Sequence, residues 1–133
     1  MLLPHGTIVA LVDGKNFALF RNAGNEAEPE LVAQDTPKLD THNHSGASHH
    51  ASSGTHGGAL VAEESHAIAA VEWLNAQVLG HHIEHLVVVA PPRTLGEMRR
   101  HYRKQLEHAL LADVAKDLWA YKGPEILAAL RGR

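Results

Sequence analysis

The amino-acid sequence predicts an α/β domain built on a mixed five-stranded sheet. Three observations carry this. Two apolar, β-branched or aromatic runs flank an Asp-Gly turn signal near the N-terminus. A later run, Leu86-Val87-Val88-Val89-Ala90, is apolar without interruption, as a strand covered on both faces must be. Between them, Ala67, Val71, Leu74 and Val78 recur at the spacing of one helical stripe.

The elements follow in order. Thr7 to Val12 reads as a first strand, Asp13-Gly14-Lys15-Asn16 as a turn, and Asn16 to Arg21 as the second half of a hairpin. After a polar stretch from Asn22 to Pro29, Glu30 to Asp35 reads as a third strand, stopped near Pro37. From Pro37 to Ala59 there is no apolar periodicity, and Leu39 is the lone large apolar residue. Ordering such a segment costs about 1–2 kcal/mol per residue with little burial to offset it, so residues 37–59 are expected to form a flexible loop rich in His, Gly and Ser. Ala62 to Leu79 is predicted helical, with Glu63 and Glu64 in its first turn and Gly80 closing it. After Leu86–Ala90, Thr94-Leu95-Gly96-Glu97 has capping-box spacing. It should open a helix that runs to about Leu111 and buries Leu95, Met98, Tyr102, Leu106 and Ala109. A fifth strand is expected within Asp113 to Tyr121. A last helix, Ile126 to Arg131, follows Gly123-Pro124-Glu125.

Strand, strand, strand, helix, strand, helix, strand, helix is the order of a ribonuclease-H-like fold. A length of 133 residues suits one domain, and zero cysteines exclude disulfides, thiolate catalysis and cysteine-held zinc. The first residues show no secretory leader, and no apolar run approaches the length of a membrane span. The expectation is a cytoplasmic protein. A net charge of −3 gives no overall attraction to nucleic acid.

Ribonuclease-H-like nucleases hold metal ions between acidic side chains. Asp13 and Glu63 or Glu64 are in suitable elements, but the fourth strand ends Val88-Val89-Ala90-Pro91, without an acid. Asp13 is then read as the turn residue of an Asp-Gly hairpin. Two other features invite chemistry. His42, His44, His49 and His50, in "HNHSGASHHASSGTHGG", could bind zinc or nickel through neutral imidazole, with no visible element to fix their geometry. Arg93, Arg99, Arg100, Arg103 and Lys104 place five of the chain's twelve Lys and Arg within twelve residues. On a continuous helix, Arg99 with Arg103 and Arg100 with Lys104 would stack one turn apart and present a face to RNA phosphates.

The segment "LVVVAPPRTLGEMRRHYRKQL", Leu86 to Leu106, resembles the bacterial host-attachment protein family at Ala90, Pro91, Pro92, Arg93, Leu95, Gly96, Met98 and Arg99. The opening "TIVALVDGKNFALFRN" resembles that family's first hairpin, so the resemblance covers nearly the whole chain. That family is similar to the middle domain of peptide-chain release factors, which has a ribonuclease-H-like sheet and carries Gly-Gly-Gln on a loop into the ribosome. Gly57-Gly58 occupy the comparable place here, followed by Ala59. The resemblance implies a module that engages the ribosome or RNA, with Gly57 and Gly58 as a loop probe and the Arg93–Lys104 residues as a docking face. It points away from peptide release and toward an indirect role in attachment. A metal-binding loop is the alternative, and a hydrolase of peptidyl-tRNA or RNA a third.

Overall fold

The computed structural model of the chain describes residues 1–39 and 55–131, with side chains described from Val61 onward in the second stretch. Its elements are β1 (Ile8–Val12), β2 (Phe17–Asn22), β3 (Leu31–Gln34), α1 (Thr55–Leu79), β4 (Leu86–Ala90), α2 (Pro92–Arg99), α3 (Lys104–Ala109), β5 (Leu110–Ala115) and α4 (Gly123–Arg131). The five strands form one sheet in the order β3-β2-β1-β4-β5. β1 pairs antiparallel with β2 and parallel with β4, while β2–β3 is antiparallel and β4–β5 parallel. The mixed, ribonuclease-H-like sheet expected from element order is the fold observed. Among the described residues, no helix is long and apolar enough to cross a membrane.

The alternation of side chains along β1 and β4 divides the core into two layers. Ala10, Val12, Leu86, Val88 and Ala90 face a layer completed by Ala67, Val71 and Leu74 of α1 and by Leu95, Met98 and Leu106 of α2 and α3. Val9, Leu11, Val87 and Val89 face the other, completed by Leu3, Leu118, and Ile126 and Leu130 of α4. All five residues of β4 are buried, which is why its sequence carries no polar alternation. The start of α4 lies so close to β3 that a Cβ on Gly123 would meet the Leu31 carbonyl oxygen at 2.5 Å. Glycine is required there by contact.

Four expectations need correction. The first helix begins at Thr55 instead of Ala62. A helix already anchored downstream extends by one hydrogen bond per residue added, so weak formers such as Gly57 and Gly58 are carried along once nucleation is complete. Glu63 and Glu64 therefore sit in the third turn, away from the N-terminal dipole. Gly80 does not take the left-handed conformation that closes this helix; His81 does, with φ 63°. His82 N–H donates to the Gln77 carbonyl at 2.9 Å and His81 N–H to that of Val78 at 3.0 Å, the two bonds of a Schellman motif.

The third correction concerns the capping box. α2 starts at Pro92, whose fixed φ suits the first helical position, with Pro91 as N-cap, so Thr94 is already inside the helix. The fourth is larger: the predicted helix to Leu111 is two short helices, and β5 runs Leu110–Ala115, overlapping only the start of the expected Asp113 to Tyr121 stretch. At the break the chain bends through His101 and Tyr102 into extended Arg103. Asn75 of α1, only 5% exposed, donates to the His101 carbonyl at 2.9 Å and accepts the Arg103 N–H at 3.1 Å. α3 then passes directly into β5. A register shift sets Leu86 opposite Leu110 but Val87 opposite Ala112, leaving Leu111 as the extra, exposed residue of a bulge.

Two stability outcomes follow from these caps. Asn75→Ala leaves two backbone groups at the break without their partner, and should lower the unfolding free energy in urea by about 1–3 kcal/mol. His81→Gly relieves a left-handed side-chain-bearing residue and should raise it by about 0.5–1 kcal/mol in the same measurement.

Candidate functional site

In open α/β sheets, ligands bind beyond the carboxyl ends of the parallel strands. Here that rim gathers the β1–β2 turn, the N-terminal half of α1 and the start of α2. The turn is built by Asp13. Its Oδ1 accepts the N–H groups of Lys15 at 2.8 Å and Asn16 at 2.5 Å, and its Oδ2 accepts the Asn16 side-chain amide at 3.0 Å. Burial pushes this carboxyl upward. The hydrogen bonds from Asn16 and Lys15, with His66 nearby, outweigh it and hold Asp13 below the ordinary 3.8. His66 Nδ1–H donates to the Asp13 carbonyl at 2.9 Å, tying α1 to the hairpin. Asp13 thus works as the turn residue the sequence implies.

Beside the turn, Glu63, Glu64, Ala67, Arg93, Thr94 and Glu97 line a cleft of about 270 Å³ between α1 and α2. Glu97 is engaged from just past the end of its own helix, by His101 Nε2 at 3.2 Å and Arg100 at 3.5 Å. Among the described residues, no group of three or more His, Asp or Glu side chains is placed to hold a metal ion. Asp13 and the two glutamates do not assemble a nuclease-type carboxylate cluster. His42, His44, His49 and His50 lie outside the described residues. Gly57 and Gly58, expected on a loop, fall within α1.

The five basic residues are dispersed by the helix break. Arg93 lines the cleft. Arg99 donates to Asp113 through Nε at 2.9 Å and Nη2 at 2.7 Å, a two-pronged contact with the adjacent strand. Arg100 pairs with Glu97. Arg103 is the N-cap of α3 and Lys104 its first residue. The stacking of Arg99 on Arg103 and of Arg100 on Lys104 does not form, because no single helix spans them. Arg93, Arg103 and Lys104 remain as exposed cations.

Asp113, read from the sequence only as the start of a strand, is the hub of a polar cluster. Besides Arg99 it accepts the Tyr102 hydroxyl at 3.1 Å. The sequence offers no periodic signal for contacts 11 and 14 residues apart that depend on a break and a bulge. Burial, then the Asp113 charge and the hydrogen bond to it, push the Tyr102 phenol well above its ordinary 10.0. A raised folded-state value means stability that is full below that ordinary value and falls as pH rises beyond it. Unfolding midpoints measured from about pH 8 to about pH 11 should decline at the alkaline end. Tyr102→Phe should flatten that decline while costing about 1 kcal/mol at neutral pH.

Comparison with known proteins adds the family. None of the curated proteins compared with the chain matches it. The family model described as bacterial archaeo-eukaryotic release factor family 12 matches residues 6–130, from the segment leading into β1 to the end of α4. This chain therefore belongs to bacterial archaeo-eukaryotic release factor family 12.

Proposed function

We propose that the chain is a non-enzymatic module of release-factor type that binds the ribosome or RNA. The observation that carries this reading is the family match across residues 6–130. Ala59 supports the non-enzymatic part. α1 carries Gly57-Gly58 followed by Ala59 instead of glutamine, and a methyl group offers neither a donor nor an acceptor to an ester under attack. The exposed Arg93, Arg103 and Lys104 supply charge for phosphate contacts, while Arg99 and Arg100 are held by Asp113 and Glu97. In this reading an attachment phenotype, as the host-attachment resemblance implies, arises indirectly through translation. The protein works inside the cytoplasm.

Co-sedimentation with ribosomes over a salt series tests the proposal. Binding should weaken steeply with salt, and Arg103→Glu with Lys104→Glu should reduce both affinity and the slope of log K against log salt. Arg99→Glu is the less informative substitution, because it also breaks the contact with β5. Binding indifferent to salt and to the double reversal would overturn the proposal.

A further inference from the structure

A second crevice lies on the same rim, lined by Lys15, Asn16, Phe17, Pro37, Leu39, His66 and Trp119. Its walls come from the hairpin turn, the exit of β3, α1 and the segment between β5 and α4. Leu118 is buried in the second core layer, and its neighbour Trp119 is turned outward, 41% exposed. The outward turn is firmly set. Asp117 accepts the Trp119 N–H at 3.2 Å, Tyr121 N–H returns to the Leu118 carbonyl at 3.0 Å, and Ala120 holds a left-handed φ of 71°. A non-glycine residue held there stores strain that the surrounding contacts must sustain.

The opposite wall is braced as well. Phe17 meets Trp73 edge to face, with centroids 5.6 Å apart. His66 must donate from Nδ1, because its partner is a carbonyl, and this leaves Nε2 an acceptor in the neutral ring. Lys15 is exposed at the mouth. The volume of about 290 Å³ is near the lower bound of small-molecule sites, about 300 Å³, and has room for one nucleotide-sized group. An exposed indole, a cation and a ring acceptor converging on such a space match a flat heteroaromatic ring that carries an anionic group and N–H or O–H donors.

We propose that this crevice takes one unpaired nucleotide of RNA, its base stacked on the Trp119 indole and its phosphate beside Lys15. Stacking on an indole tolerates any base, since every base has a π-face, so the site confers grip on a single strand with little sequence preference. His66 Nε2 accepts from an exocyclic amine or a ribose hydroxyl. The inference rests on the RNA-engaging reading above and assigns that contact to residues outside the basic segment.

The test is a heteronuclear NMR titration of the full chain, following the indole N–H of Trp119, identified by its disappearance in Trp119→Phe. The probes are a single-stranded RNA pentamer, a blunt RNA duplex, free ribonucleoside 5′-monophosphates and an acidic tyrosine-containing peptide. The pentamer should shift the Trp119 signal and bind more tightly than the duplex or the mononucleotides. Trp119→Ala should weaken the pentamer about tenfold, and Trp119→Phe much less. Lys15→Ala should lower the salt slope by about one. A silent Trp119 signal, affinity unchanged in both Trp119→Ala and Lys15→Ala, or tighter binding of the peptide or a mononucleotide overturns the crevice. Ribosome co-sedimentation separates the two proposals. Its loss with an intact pentamer response removes the ribosome and leaves the crevice; its retention with a silent indole does the reverse.

Discussion

The side chain of Asn75 occupies the break from which the last quarter of the chain departs. Where α2 ends, the backbone turns inward against α1, and a carbonyl at His101 and an N–H at Arg103 are withdrawn from their helical partners. Backbone groups in that state cost several kcal/mol when nothing replaces the water they lose. The amide of Asn75 meets both, one with its donor and one with its acceptor. With that pair in place, the helix can stop without a glycine or proline, and α3 can lead straight into β5. The fifth strand thereby starts at Leu110 and Leu111, two residues that would otherwise complete a helix.

The same turn explains where the positive charge goes. A continuous helix would align the basic residues, whereas the broken one points Arg99 at Asp113 and leaves Arg100 with Glu97. Arg99 is about half exposed, so its ion pair contributes modestly to stability; its geometric effect is larger, since it registers α2 against β5 together with Tyr102. Charge that looks like a ligand surface in one dimension is partly taken up by contacts between elements in three. Arg93, Arg103 and Lys104 stay outward-facing, with no carboxylate paired to them among the described residues, and Lys15 is exposed at the hairpin.

The legible parts of the fold were those set by local pattern. The Asp-Gly turn, the five-residue apolar strand and the Ala67–Val78 stripe each obey a period or a turn rule that needs no distant partner, and the element order then selects the sheet. The missed parts depend on tertiary contact. Nothing between Thr94 and Leu111 breaks helical periodicity, because the breaking group is 26 residues away on another helix. The capping box at Thr94 and Glu97 was a valid local signal outranked by Pro92, and Gly80 was a natural terminator displaced by one residue to His81. Trp119 falls within the stretch expected to hold the fifth strand, and only the fold, in which β5 ends at Ala115, shows it beside Lys15 and His66.

One feature of α1 has mechanical meaning. Its 25 residues make a rod of about 37 Å, whereas the five residues of β1 span about 17 Å. Eight helical residues, about 12 Å of rod, precede Glu63, which lies against Gly14 of the hairpin. The connection from β3 therefore joins the sheet's edge at one end and the tip of a stiff lever at the other. Each residue inserted in or removed from that lever alters reach by about 1.5 Å and rotates heading by about 100°, so length and aim are geared together.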